Sequence, residues 1–407
     1  MPLAGDPLRI AVFANALPPL DETGAIREGV FFGGVERASW NLTRELARRG
    51  LDVWVFSVSD DPLSLANDLD LRLGDGAWHH RPVRRTLRIG ATPVGMALFR
   101  HRPGYGPFDV VLAYMGDQPA PLAALRCARR WKVPLVVSFH GDSLGGFGSV
   151  ARRTGVWLHA KVLGPLVMRH AAAIIALSKE AAASSFLVSP YADKTHVIPN
   201  GVAPVADPPT RSAAREALGL RDHRPVALFA GSLMRTKGVD RLLQAWAGLE
   251  GGAEGPVLLV AGEGPDRGEY EALASRLGIA DRVRFLGFVP LAGPCAAADV
   301  FVLPSRTESF PLTLLEAAMA GRPLVVSSIP TLRAMVEPGV TGLVVDADDE
   351  AAFARDLGDL LRDRVKAQAM GQAAHRWAKA HTWPAVAAQT EAVLRGVAAR
   401  ARIQQRR

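Results

Sequence analysis

Residues 308–326 read ESFPLTLLEAAMAGRPLVV. Leucine and alanine fill its middle, Gly321 closes the apolar run, and Pro323 to Val326 resume as a short β-branched segment, so the stretch reads as a buried helix feeding a buried strand. Two carboxylates interrupt it: Glu308 stands ahead of the helix and Glu316 inside it. Carboxylates seldom leave water without a partner, because the desolvation cost is large. On an isolated amphipathic helix both would sit on a solvated face. Just upstream, DVFVLPSRT is a strand running into a loop, Ser305 to Pro311, so the whole segment is strand, loop, helix and terminating glycine. Thr313 and Leu314 then fall in the first helical turn, where N–H groups have no intrahelical partner and the helix dipole is positive.

The same strand–helix alternation extends in both directions. RIAVFA is followed by GVERASWNLTRELARRG, whose Val35, Trp40, Leu42 and Leu46 recur near helical spacing before Gly50 stops the pattern and DVWVFSV begins a strand. DVVLAY, PLVVSFH and AAIIALS continue the series. After VIPNGV a Pro-, Ala- and Asp-rich stretch, APVADPPTRSAARE, reads as a linker, and the alternation restarts with PVALFAGSL, GPVLLVAGEG, RVRFLGFV, DVFVLPS and PLVVSS. Short apolar strands alternating with helices predict parallel sheets covered on both faces. The expected fold class is α/β, with two Rossmann-like domains, residues 1–203 and 210–383, facing an inter-domain cleft. Residues 384–407 are expected to form a helix that packs back on the first domain.

The bulk composition narrows the function classes. Of 407 residues, 49% are hydrophobic and 22% charged, and the 39 Gly and 29 Pro are scattered rather than clustered, as in an ordinary globular protein. Cys127 and Cys295 are too few for a disulfide framework or a thiolate metal site, which fits a reducing cytoplasm. The first residues lack the basic and long apolar regions of a signal peptide, and the longest apolar runs fall short of a membrane span, so a cytoplasmic location is expected. The net charge of +8 is uneven: between Leu71 and His170, 15 Lys/Arg face 4 acids, an excess of +11, so the other residues sum to −3. The belt, dense in RPVRRTLR and RCARRWK, suits an anionic membrane surface or an anionic substrate. No nucleic-acid-binding motif accompanies it.

Ligands of parallel sheets bind where strands run into helix N-termini, and those termini suit phosphates. FFGGVE puts Gly33 and Gly34 before the first helix; AGSLMRTKG puts Arg235 and Lys237 between glycines; VAGEGPDR is a third such turn. Neither a P-loop nor the three-glycine dinucleotide pattern is present, which disfavours an NTPase or a dehydrogenase. A phosphate on the Thr313–Leu314 turn would lie between the two acids, one free to accept from sugar hydroxyls and the other from a ribose.

Taken in order, GGVE, HGD, IPNGV, the KG of the second loop and the Glu-x7-Glu segment resemble the retaining GT-B glycosyltransferases of family 4, the glycogen-synthase-like group 1 enzymes. The resemblance covers nearly the whole chain. It implies a UDP- or GDP-sugar donor held mainly by the C-terminal domain, an acceptor held mainly by the N-terminal one, and transfer of a hexose to a hydroxyl of a glycan, glycolipid or small molecule. It also implies roles. Glu316 holds the ribose, Glu308 the transferring sugar, and Lys237 with the backbone at Thr313 and Leu314 the diphosphate, while Arg235 is expected to replace the charge of the arginine that the family usually carries at the position of Ser232. Gly34 approaches the phosphates from the first domain, and His140 sits by the reacting sugar, so His140 and Glu308 are the expected catalytic pair.

The sequence departs from the family pattern at Ser232, where an arginine is usual, and at Pro311, where a glycine is common. Neither Asp68-Leu69-Asp70 nor Asp346-Ala347-Asp348 belongs to this fold's donor site, and no metal or other cofactor is expected. A sugar-nucleotide epimerase of the same fold and a catalytically weak partner subunit are the competing readings. A peripheral contact with anionic lipid, through Arg81, Arg84, Arg85 and Arg88, is expected from the charge belt.

Overall fold

The computed structural model describes residues 7–27, 32–66, 68–89, 92–99, 105–115, 120–142, 150–220, 224–251 and 254–406. Phe31 of the first glycine-rich loop lies outside them, and the side chain of Arg88 is likewise not described. The chain divides into two units, residues 1–200 with 383–407, and residues 201–382.

The first unit is built on strands β1 (Arg9–Phe13), β2 (Asp52–Ser59), β3 (Leu69–Leu73), β4 (Gly76–Arg84), β5 (Leu87–Ile89), β6 (Thr92–Val94), β7 (Val110–Met115), β8 (Leu135–Phe139), β9 (Ala173–Ala176) and β10 (Thr195–Val197). Eight of them form one sheet in the order β10-β9-β8-β7-β1-β2-β4-β3, parallel except for the antiparallel edge strand β3; β5 and β6 pair as a separate hairpin. Helices α1 (Gly34–Arg48), α2 (Pro62–Ala66), α3 (Ala120–Trp131), α4 (Val150–Leu158), α5 (Gly164–His170) and α6 (Lys179–Ser184) connect them, with a π-turn, His159–Leu163, joining α4 to α5. β7 and β8 are buried along their whole length, as both-face coverage requires. The closing helix, Trp383–Arg406, belongs to this unit: Trp383, Val386, Leu394 and Val397 are buried, and its Glu391 accepts from Arg49 Nε at 2.7 Å.

Two details differ from expectation. In α1 the buried stripe is Ala38, Ser39, Leu42, Thr43, Leu46 and Ala47, whereas Val35 is exposed and Trp40 lies partly outside, its indole N–H donating to the Gly24 carbonyl at 3.1 Å. Small residues therefore carry the packing face, because the helix lies close against the sheet. Arg81 does not belong to a surface belt. It is 6% exposed, its guanidinium lies 4.7 Å from the Trp54 ring centroid, and it pairs with Asp70 at 2.7 Å and Asp68 at 3.2 Å. Arg85 is bound to Asp60, while Arg84 is exposed.

The second unit holds β11 (Val226–Ala230), β12 (Val257–Ala261), β13 (Val283–Gly287), β14 (Val300–Leu303), β15 (Leu324–Ser327) and β16 (Gly342–Val345), all parallel, in the order β13-β12-β11-β14-β15-β16. Its helices are α7 (Arg211–Ala217), α8 (Val239–Ala247), α9 (Arg267–Arg276), α10 (Ala292–Ala297), α11 (Leu312–Met319), α12 (Pro330–Arg333), α13 (Glu350–Arg362) and α14 (Arg364–Lys379). Phe229, Trp246, Phe301, Leu314 and Phe353 are fully enclosed. The strand order reverses between β11 and β14, so their carboxyl ends diverge and leave the crevice in which such sheets bind ligands. In the first unit the corresponding reversal lies between β1 and β7.

Candidate active site

At the reversal in the second unit, β11 runs into the loop Gly231–Gly238 and β14 into Pro304–Pro311. The first loop is fixed from three sides. Gly231 donates to Ala261 at 3.0 Å, Leu233 donates to Glu263 at 2.9 Å, and the Arg235 N–H reaches Asp266 Oδ2 at 2.7 Å. Gly262 lies so close that any Cβ there would collide with the Gly231 carbonyl, and its φ of +142° suits only glycine. Gly238, at φ +70°, packs its Cα side against the Pro304 carbonyl, which brings the two site loops together. Arg306 completes the clamp: its N–H donates to Thr236 O at 2.8 Å and its Nη1 to Arg235 O at 2.7 Å. Its guanidinium forks onto Asp240 at 2.7 and 2.6 Å. Such a bidentate pair gives direction as well as energy.

The clamp leaves Lys237 facing Glu308, with Nζ 2.7 Å from Oε1. The same oxygen accepts from Ser305 Oγ at 2.9 Å, and the Ser305 carbonyl is held by Ser327 Oγ at 2.5 Å. Glu308 is only 6% exposed at the side chain. Beyond it, α11 starts at Leu312 behind Pro311, and no side chain caps its N-terminus. The first-turn N–H groups, Thr313 and Leu314 among them, are thus available to an anion. Glu316 follows in the second turn, half-buried, and burial together with its charge pushes the Cys295 thiol up to about 12. Arg235 is exposed and its guanidinium has no partner among the described residues, while Ser232 is partly exposed. The arrangement gathers Arg235, Lys237, Glu308, Thr313, Leu314 and Glu316 around one helix N-terminus. It offers cations and N–H donors to a polyanion and carboxylates to hydroxyls.

The two remaining sequence candidates lie in the first unit. Gly34 opens α1 behind the N-cap Gly33, and Glu36 bends back so that its carboxylate accepts from the backbone of Gly33. Burial raises the Glu36 carboxyl above its usual range. His140 follows β8. Its N–H donates to Met115 O at 3.2 Å, its Nε2 lies 3.1 Å from Ser138 Oγ, and Tyr114 stacks on the imidazole at 5.3 Å. Burial pushes the His140 pKa down to about 4, so the ring is neutral at pH 7. Asp142 ties this loop to the end of α6, accepting from Ser185 Oγ at 3.0 Å and Phe186 N at 3.2 Å.

Sequence reasoning did not single out Arg306, Asp240, Ser138 or Asp142 as supports. Ser138 sits two residues from His140 and could be found from strand alternation, but the Arg306–Asp240 contact joins residues far apart in the chain. Among the described residues no group of three or more His, Cys, Asp or Glu comes together as a metal site. The Asp68 and Asp70 carboxylates are taken by Arg81, and Asp348 pairs with Arg241 at 2.5 Å.

Residues 210–377 match the family Glycosyl transferases group 1, and residues 32–205 match Glycosyltransferase Family 4. A D-inositol 3-phosphate glycosyltransferase of Xylanimonas cellulosilytica is 32% identical over 93% of this chain and 94% of its own length. One from Streptomyces scabiei is 36% identical over 95% and 91%. Among solved structures, sucrose-phosphate synthase from Thermosynechococcus elongatus superposes with a TM-score of 0.73 at 23% identity, covering 96% of this chain and 99% of that one. HepE of Anabaena, solved in complex with UDP and glucose, gives a TM-score of 0.73 at 19% identity, with 96% and 100% covered. With strand orders, site loops and relatives in agreement, the chain belongs to the group 1, family 4 glycosyltransferases and is a glycosyltransferase of the GT-B fold.

Proposed function

We propose that the protein transfers a hexose from a UDP- or GDP-sugar to an acceptor hydroxyl with retention of anomeric configuration. The observation that carries this reading is the Lys237–Glu308 pair, 2.7 Å apart, beside the uncapped N-terminus of α11. A nucleoside diphosphate placed there meets Lys237, Arg235 and the first-turn N–H groups, so the negative charge that grows on it as the glycosidic bond breaks is met by fixed donors. No divalent ion is needed in this scheme, since the cations and the helix dipole do its work. Glu308 orients the sugar and Glu316 accepts from the ribose, and the family resemblance adds Gly34 as a phosphate-facing glycine. Neutral His140 accepts or donates a hydrogen bond beside the reacting sugar without adding a competing positive charge. With no carboxylate assigned as a covalent nucleophile, the acceptor attacks the face the diphosphate leaves, and that diphosphate takes the acceptor's proton. The protein's part is orientation and charge stabilisation.

The UDP and UDP-glucose in the HepE structures favour a uridine donor as the first to try. The relatives' name, D-inositol 3-phosphate glycosyltransferase, favours a phosphorylated cyclitol as the first acceptor. The test is a screen of radiolabelled UDP- and GDP-hexoses with and without that acceptor, following free nucleotide and labelled product. Acceptor-dependent release of UDP or GDP supports the proposal. An isomerised sugar nucleotide that keeps its nucleotide would replace transfer with epimerisation.

A further inference from the structure

The stretch from α4 through the π-turn carries an exposed face that holds none of the residues assigned to the reaction above. Arg153, Trp157 and Lys161 follow one another at a spacing of four along it, and Thr154, Leu158 and Val162 form the adjoining row. All six are exposed, Trp157 by 59%, Val162 by 49% and Leu158 by 42%. The opposite side, with His159, Gly164, Val167 and Met168, is buried. Apolar groups of this size held together in water mark a contact surface.

Charge says what the contact is. No Asp or Glu occurs between Asp142 and Glu180, an interval holding Arg152, Arg153, Lys161, Arg169 and Lys179. Neither Arg153 nor Lys161 has an ion-pair partner among the described residues. The cationic surface continues where Arg129 of α3 meets His170 at the end of α5 at 2.6 Å, with Arg126 and Arg130 exposed beside it. A second copy of the chain would bring the same acid-free, cationic face and be repelled by it.

We propose that this face docks the first unit on an anionic lipid bilayer. The helix lies in the plane of the interface, with Trp157, Leu158 and Val162 at the boundary of head groups and acyl chains and Arg153 and Lys161 among the phosphates. This location goes beyond the proposed reaction and does not depend on which sugar is moved. It also replaces Arg81, which is buried, as the seat of lipid contact.

The test is co-sedimentation of the full chain with phosphatidylcholine vesicles, with and without phosphatidylglycerol, at low and high salt. The wild type should partition onto the anionic vesicles and leave them as salt screens the contact. R153Q with K161Q should lose about fivefold per charge removed. A separate triple variant, W157S, L158S and V162S, should lose about tenfold or more by exposing less apolar surface to the bilayer. Both should keep the wild-type thermal midpoint, because every altered side chain is exposed. Equal partition onto neutral and anionic vesicles, or variants that bind like the wild type, would overturn the proposal. So would a dimer, seen by sedimentation velocity, that the triple variant breaks while vesicle binding is absent.

Discussion

Glu308 Oε1 takes both the Lys237 ammonium and the Ser305 hydroxyl, and that is how an almost buried acid is accommodated at the mouth of an apolar helix. In the proposed mechanism its partner during turnover is the sugar. E308Q should therefore lower turnover by about a hundredfold, the scale of one lost transition-state contact, and change the affinity for free UDP or GDP far less. Steady-state kinetics beside calorimetry separate the two, and nucleotide affinity falling in step with turnover would remove Glu308 from the sugar. E316A should instead weaken the nucleoside diphosphate by about 1.5–3 kcal/mol, the worth of a hydrogen bond to a charged acceptor. Unchanged nucleotide affinity in the same calorimeter would return Glu316 to a packing role. His140 gives a pH prediction: with its pKa pushed down to about 4, kcat/KM should show no ionisation near 6.5 that disappears in H140A. Glu308 and Glu316 stood out in the sequence because they are charges in an apolar run, and Lys237 because it lies between glycines. Arg306 did not, since its work is done on backbone carbonyls and on Asp240, and no local pattern encodes that.

Whole elements were easier to read than their faces. β11, β12 and β14 appear as unbroken apolar runs because parallel strands bury both sides, whereas α1 hides its packing face behind small residues. The edge formed by β2, β3 and β4 was not legible either. Its polar side chains look solvated in the sequence, yet Trp54 stacks on His79 at 4.1 Å, and Arg81 lies against the same indole. His79 bonds Asp52 at 3.1 Å and also Asp70. Burial alone would lower the His79 pKa, but those two carboxylates outweigh it and hold the value above the usual one. A raised folded-state pKa contributes stability that is complete below the unfolded value, near 6.5, and fades as pH rises through the folded value. The thermal midpoint of the wild type should thus fall as pH rises from about 6.5, and H79Q should flatten that slope. An identical slope in H79Q would show that the pair of carboxylates does not hold the proton.

At the scale of the molecule, the alternation of strands and helices was enough to give the α/β class, because each strand announces itself locally, while the resemblance to the GT-B family rested on the ordered motifs from GGVE to the Glu-x7-Glu segment. The order of the strands was not. β11 lies beside β14 through pairs such as Ala227 with Val300, and that pairing creates the crevice where Lys237 and Glu308 meet. The glycines that permit the close approach of neighbouring loops, Gly238 and Gly262, read in the sequence only as turns. In the proposed reaction the chain moves a hexose from a nucleotide donor with retention, using the charges gathered at the N-terminus of α11. The most direct measurement is proton NMR of the product formed from an α-linked UDP- or GDP-hexose and the acceptor that supports nucleotide release. The expected product shows an α-configured anomeric signal that appears in step with free UDP or GDP and is lost in K237A. A β-configured product would contradict it, as would turnover that K237A leaves intact.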